Sequence, residues 1–418
     1  IMAENIRDIY HLFNPDKVLL NDELKNYYVE IDQNETNIQD LQVRLELGLE
    51  TREPIKLLFT GHRGSGKTTT LNRLVSNLDD RFFIVHYNVF DLLDHNDITY
   101  IDVLFSILTK ILEKAEKDEI DLGQTLLKRA DKWSSSIIQS SSIEDDVGGG
   151  IGINLPLYFL EIMGRMKSET KTRVEIRKEI EPRVSELVSI INDTIAEIEK
   201  TGAQVLIIID NLEKIDYKKA LHLFYHHGTQ LTQPLCKIIY TFPISLKSSD
   251  SFMQIKINFS DVFIHPNIKI HEQEGADHPY TKGRKFMEEI VSKRVSLDLF
   301  EPDALEYIID MSGGVVREFI RIIRDSAVRA ITRNKDLIDK DIAVEVVNGL
   351  KNIYQAQLSD EDYKVLIEVH QTKDIKRDKQ LVGLLHNLSV LEYKNDRSWC
   401  DLNPIVRAIL DEKNLLPK

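Results

Sequence analysis

Residues 61–68 read Gly-His-Arg-Gly-Ser-Gly-Lys-Thr, the pattern G-x-x-x-x-G-K-T. Each residue type has a physical reason to stand where it does if the ligand is a phosphate chain. Gly64 and Gly66 let the backbone curl so that its N–H groups point inward at an anion. Lys67 neutralises the β- and γ-phosphates, and Thr68 offers a hydroxyl to magnesium. Gly61, His62, Arg63, Ser65 and Thr69 complete the lining of the loop. A second group lies downstream. The apolar run 205–209 ends in Asp210. An acid there can hold magnesium through water or cap the next helix. Glu213 either reaches the γ-phosphate and orients a water, or begins the next helix as a surface glutamate. Thr241 ends the run Lys-Ile-Ile-Tyr-Thr; it either hydrogen-bonds a terminal phosphate or is a β-branched strand end.

These residues need strands and helices to hold them. Residues 55–60 are a short apolar run leading into the loop, and 66–78 read as the helix that turns its positive end to the same anion. Residues 82–89 are rich in β-formers, and 98–117 return to helical periodicity. The runs 205–210 and 237–241 are continuous and apolar, as in the centre of a parallel sheet. Alternation of strands and helices predicts an α/β fold, a P-loop sheet core. Before it, 1–53 reads as a helical arm, with Ile38, Leu41, Val43, Leu45, Leu47 and Leu49 at its densest part. The stretch 134–150 is rich in Ser, Gly and acid and reads as a loop or disordered insert. Residues 168–200 read as one long two-faced helix. After about 280 strands give way to short helices, then to helices and a hairpin turning at Asn395-Asp396.

The whole chain has 418 residues, suggesting two or three domains. Its net charge of −14 means that nucleic acid would need a local basic patch. Cys236 and Cys400 are the only cysteines, too few for a disulfide framework or a four-ligand zinc site. With no apolar run of about 18 residues and no signal-like start, a cytoplasmic protein without a membrane partner is expected. His226 and His227 are adjacent on a helix and do not face one metal together.

GHRGSGKT, LIIIDNLEK, IIYT and SGGVVREFIRIIRDSA, in that order and followed by a small helical hairpin domain, resemble an ATPase of the AAA+ or STAND type. The order is similar to that of the initiator and origin-recognition branch: ATPase core, helical lid, winged helix. The resemblance runs from about residue 50 to the end, apart from the insert at 120–200. After the arm at 1–53, it implies a core at 54–275, a lid at 276–348 and a winged helix at 349–418. It also implies ATP and Mg2+ as ligands, with Asp210 as the magnesium aspartate and Thr241 at the first sensor position. Gly314-Val315-Val316-Arg317 matches the G-x-x-R of the second sensor, whose arginine touches the γ-phosphate from the lid. The alternative for Arg317 is a salt-bridged surface arginine. No guanine-specifying N-K-x-D element is present, which favours ATP over GTP.

Two departures shape the expected activity. Asn211 stands where an acidic partner is typical, and no arginine lies between Asp210 and Arg284. Arg284 and Arg294 are then the late candidates for a trans-acting finger. A slowly hydrolysing switch is expected rather than a ring motor. It would assemble with itself or regulate a partner protein, in the manner of bacterial STAND-like proteins of defence or signalling. The alternative is a DNA-associated ATPase of the initiator or loader type. Residues 350–418 carry 11 Lys plus Arg and 11 Asp plus Glu, so the expected winged helix is formally neutral. That favours protein contact over DNA, although Lys373, Lys376, Arg377 and Lys379 could touch phosphates. The presumed recognition helix, 379–389, offers Lys379, Gln380, His386 and Asn387. Tyr10, Phe13, Tyr27 and Tyr28 either anchor a partner or pack on the protein's own core.

Overall fold

The computed structural model describes residues 4–30, 38–78, 80–140, 155–375 and 379–416. Five parallel strands form the core: β1 Lys56–Gly61, β2 Phe82–Asn88, β3 Gln204–Asp210, β4 Lys237–Pro243 and β5 Asp261–Ile264. Their order across the sheet is β2-β3-β4-β1-β5. β1, β3 and β4 are buried along their whole length. Both faces of the sheet are covered, which is why these strands read as unbroken apolar runs. β4 lies between β1 and β3, so the strand ends carrying the loop, Thr241 and Asp210 form one row. β5 is too short and too mixed to stand out in the sequence. Two antiparallel hairpins follow, β6 His271–Glu272 with β7 Gly275–Pro279, and β8 Val390–Lys394 with β9 Ser398–Leu402.

The segment 120–200 is a packed helical layer. Helices Gln124–Ser140, Leu155–Ser168, Thr170–Ile180 and Val184–Glu199 surround the Tyr100–Lys117 helix. That helix is buried nearly all round and is opened by a capping box of Thr99 and Asp102. Two sequence expectations are corrected here. Residues 134–140 are helical, not loop; Trp133, Ile137 and Ile138 bury one face, and the Ser134 and Ser136 hydroxyls donate to carbonyls three residues back. The remainder of that stretch, 141–150, lies outside the described residues. The long helix at 168–200 is broken at Glu181–Arg183, where Pro182 stands.

Arginines fasten this layer to the sheet side. Arg177 reaches Asp102 at 2.5 Å and Asp97 at 2.8 Å, and Arg173 reaches Asp97 at 2.8 Å and Asp94 at 3.0 Å. Burial pushes the Asp102 carboxyl up, against the pull of Arg177.

Helices Thr281–Ser292, Pro302–Ser312, Val316–Thr332 and Lys340–Gln357 form the region expected as a lid. Helices Asp360–Thr372, Lys379–His386 and Pro404–Glu412 with the β8–β9 hairpin follow. Both regions share one apolar core, through residues such as Ile308, Phe319, Leu366, Leu385 and Ile409. The boundary expected at 348/349 falls inside the Lys340–Gln357 helix, and that at 275/276 inside β7. The arm also differs from a simple lead into the core. Its Ile6–Leu12 helix packs on Val316–Thr332, whereas Ile38–Thr51 packs on the sheet. Phe13 is fully buried, Arg324 lies over the Tyr10 ring, and Arg294 over that of Tyr27. Phe13 therefore serves the protein's own packing, while Tyr10 keeps 42% of its surface exposed.

Removing Arg177 leaves Asp102 buried without its cation, so Arg177→Leu should cost roughly 3 kcal/mol or more. The double change Arg177→Leu with Asp102→Leu should recover part of that. Urea unfolding of the three proteins measures it, and an unchanged midpoint in Arg177→Leu would show that the network contributes nothing.

Candidate functional site

The loop after β1 turns tightly, with Ser65 N–H donating to His62 O at 3.2 Å. Gly64 has φ +83° and Gly66 φ +101°. A Cβ on Gly64 would lie 2.8 Å from Cβ of Arg317, so the lid helix packs directly on the loop. The helix Lys67–Asn77 starts at once, its first turn facing the loop.

Lys67 is buried, and its Nζ donates to Gly61 O at 3.1 Å and His62 O at 2.8 Å. The same ammonium lies 3.4 Å from Glu213 Oε1. Glu213 is therefore a buried residue of the site and no surface glutamate. Its placement follows from the turn after β3. Asn211 takes φ +72°, a left-handed conformation that Asn tolerates better than most residues. Leu212 N–H then donates to Thr241 Oγ1 at 2.9 Å, and Thr241 Oγ1 donates to Ile209 O at 3.2 Å. β4 thus holds the turn that delivers Glu213. Burial by itself would raise the Glu213 carboxyl, but Lys67 and the Thr241 hydroxyl hold it below its ordinary value.

Asp210 sits beside it at the end of β3. Its carboxyl is pushed up by burial and by the Glu213 charge, against hydrogen bonds from Thr68 and from Asn211 N–H. Two buried carboxyls, one with an unpartnered Oε2 on Glu213, stand against one ammonium and a threonine hydroxyl. This donor set fits a hard divalent cation. Among the described residues no three His, Cys, Asp or Glu converge on a metal position, so such an ion would draw further oxygens from a nucleotide and water.

A cleft opens over the loop, lined by the loop itself, Glu213, Lys214, Arg317, Phe286, Arg294 and the arm at 12–19 and 27–29. Its volume is about 140 Å³. Small-molecule sites usually enclose roughly 300–1,000 Å³. The arm and the helix from Val316 lie close over the loop here. The arm is tied down on both sides: Asn72 Nδ2 donates to Leu19 O at 3.1 Å, and Arg317 Nε to Pro15 O at 3.1 Å.

Arg317, half-buried, pairs its side chain with Asp16 at 4.0 Å, as in the salt-bridged alternative, and lines the cleft. Its backbone N–H donates to Gly64 O at 3.0 Å. Of the late arginines, Arg284 is engaged with Glu306 and with Asp310, the latter at 2.6 Å. Arg294 is buried, packed over Phe13 and Tyr27, with its pKa pushed down to about 10 by burial. Neither is a free finger. His62, which sequence reasoning placed only as loop lining, points away from the cleft. It is buried, and its Nε2 accepts Glu392 N–H of β8 at 2.6 Å. Nothing in the motif signals that contact. Arg63 is exposed at the mouth of the loop. Thr69 lines the cleft, and Thr70 Oγ1 meets His265 Nε2 at 2.9 Å. His227 stacks on Tyr100 and touches His222, with no metal cluster among the described residues.

The family description "KAP family P-loop domain" matches residues 37–229. The chain thus carries a P-loop NTPase domain in that span. A comparison with curated proteins returns no match. Among solved structures, the Aeropyrum pernix ORC2 protein in its ADPNP–ADP complexes is similar at 12% identity, covering 97% of each chain, with a TM-score of 0.43. Cdc6p from Pyrobaculum aerophilum is similar at 12% identity over 96% of this chain and 98% of its own, with a TM-score of 0.43. The Thermotoga maritima RuvB Holliday junction branch migration motor is similar at 13% identity over 97% and 100%, with a TM-score of 0.38. These are likenesses of fold and assign no residue a role.

The loop geometry sets a pH dependence. Burial, with Lys67 nearby, pushes His62 down to about 3, and burial does the same to His265. A histidine neutral in the fold but with an ordinary pKa of about 6.5 when unfolded binds more protons in the unfolded chain. Its stabilising contribution is full above about 6.5 and is lost as the pH falls toward 3. The unfolding free energy measured in urea should fall between pH 7 and 5, by on the order of 1 kcal/mol per pH unit per histidine. His62→Gln should flatten part of that slope; an unaltered slope would mean that the ring is not held neutral.

Proposed function

We propose that the protein is an ATP- and Mg2+-binding switch that hydrolyses slowly and passes its nucleotide state to a partner protein or to further copies of itself. One observation carries this reading: the phosphate loop is bonded at once to two segments distant in sequence. Arg317 N–H holds Gly64 O from the lid side, and Glu392 N–H holds the His62 ring from the C-terminal hairpin. A phosphate entering the loop would act on both.

In this reading Gly61–Thr69 cradle the phosphates, and Lys67 pairs with the β- and γ-phosphates. Thr68 and Asp210 would hold magnesium, which supplies charge neutralisation between the phosphate oxygens. Glu213 orients the attacking water, Thr241 fixes the turn that carries it, and Arg317 contacts the terminal phosphate as the lid closes. Residues 358–416 are read as a winged helix used for protein contact. Its hairpin supports that reading, because Tyr393 and Trp399 are buried against Val315 and Leu391 instead of standing free as a wing. Gln380, one of the base-reading candidates, is bonded to Asp362. Lys376 and Arg377 lie outside the described residues. A signalling or defence complex is the setting we propose for the partner.

The test is mass in solution without nucleotide, with ADP and with a non-hydrolysable ATP analogue, for the native chain and Lys67→Ala. Assembly with the analogue alone, lost in Lys67→Ala, is the expected result. A constant mass combined with no analogue binding would sink the switch reading. Duplex DNA binding near 100 mM salt that weakens steeply with added salt would favour the initiator-type alternative.

A further inference from the structure

Lys214 has no assigned role in the reading above, yet its backbone is held by the turn that delivers Glu213. It ends the turn after β3, where Leu212 N–H is held by Thr241 and Lys214 N–H donates to Asn211 O at 3.0 Å. The next helix is capped separately, by Asp216 accepting from Lys218 N–H and Lys219 N–H. The Lys214 side chain is half-buried and lines the cleft together with the phosphate loop and Arg317.

Its ammonium has no hydrogen-bond or ion-pair partner among the described residues. Every other cation deep in the cleft is engaged: Lys67 with two carbonyls and Glu213, Arg317 with Pro15 O, Arg294 with Ile290 O. Burial disfavours the charge on Lys214, and Arg317 and Arg63 repel it, against the attraction of Glu213 and Asp210. An unpartnered, half-buried ammonium that lines the cleft with the phosphate loop and Arg317 is a place prepared for an anion. The chain also has no arginine between Asp210 and Arg284, and Arg284 is engaged within the lid.

We infer that Lys214 is a γ-phosphate-binding residue whose ammonium, supplied from within the same chain, meets the terminal phosphate of a bound nucleoside triphosphate. It takes the part that an arginine from a neighbouring subunit would otherwise play. The inference rests on the nucleotide reading of the cleft. It adds that the site distinguishes tri- from diphosphate by Lys214 and is complete in one chain.

The test uses the full chain with Mg2+, measuring by calorimetry the affinities for ADP and for a non-hydrolysable ATP analogue. The native protein is compared with Lys214→Met, which keeps length and removes charge, and with Lys214→Arg. Lys214→Met should weaken the analogue about tenfold or more, the size expected of one charge-assisted hydrogen bond. ADP affinity should stay within about twofold, and Lys214→Arg should restore the preference. If Lys214→Met does not fold, as read from its thermal melt, Lys214→Gln takes its place. Equal weakening of both ligands would mark Lys214 as structural, and no weakening of either would leave it without a phosphate contact. Both outcomes overturn the assignment while leaving the nucleotide reading intact. A native protein that binds neither ligand would overturn both together.

Discussion

A buried ammonium beside a buried carboxylate organises this molecule. Lys67 and Glu213 have side chains only 3% and 6% exposed, and each would be costly alone. Their meeting requires the loop after β1 and the turn after β3 to converge, although those strands are not neighbours. β4 makes that possible by lying between them and giving Thr241 to the turn. The order of the sheet, the left-handed Asn211 and the burial of Glu213 are thus consequences of one placement.

The same loop is where the lid and the C-terminal hairpin take hold. Each backbone bond to it has a net value of about 1 kcal/mol. Around them Val315, Leu391, Tyr393 and Trp399 form a small apolar cluster, and Lys247 pairs with Glu392. The Tyr393 hydroxyl donates to Gly313 O at 2.7 Å, two residues before that cluster's Val315. A ligand can shift such an arrangement only by the difference in its affinity for two states. The hairpin also enters the larger apolar core through Val390, Cys400 and Leu402, so any such shift would act on its contacts at the loop and not detach it whole.

Much of this was legible in the sequence where chemistry forces residue types. The spacing of Gly61, Gly66, Lys67 and Thr68 requires a strand before and a helix after, and both are present. Apolar runs ending in Asp210 and Thr241 are central strands because a doubly covered strand leaves no polar alternation. What stayed hidden depends on contacts distant in sequence. His62 looks like loop filler until Glu392, 330 residues on, is seen to donate to its ring. The serines at 134–136 suggested a loop because serine is neutral-to-poor in helices, but Trp133, Ile137 and Ile138 bury one face and decide the matter. β5, four residues long, has too few positions for any period to register. The shared core of the lid and the C-terminal segment carries no composition break that sequence could report.

The departure at position 211 now has a physical reading. An acid directly after Asp210 would stand at a left-handed residue within a buried turn, next to a second carboxylate. Here the second acid comes two residues later and is returned to the site by that turn, where Lys67 neutralises it. The pairing also constrains the proposed reaction. Lys67 is already engaged with the Gly61 and His62 carbonyls and lies 3.4 Å from Glu213 Oε1, whereas Glu213 Oε2 has no partner. In the proposed reaction the phosphates would compete for that ammonium with the two carbonyls and with Glu213, leaving Oε2 to face a water. A lysine engaged until phosphate competes for it suits the proposed switch, read by its occupancy, better than a motor read by its turnover.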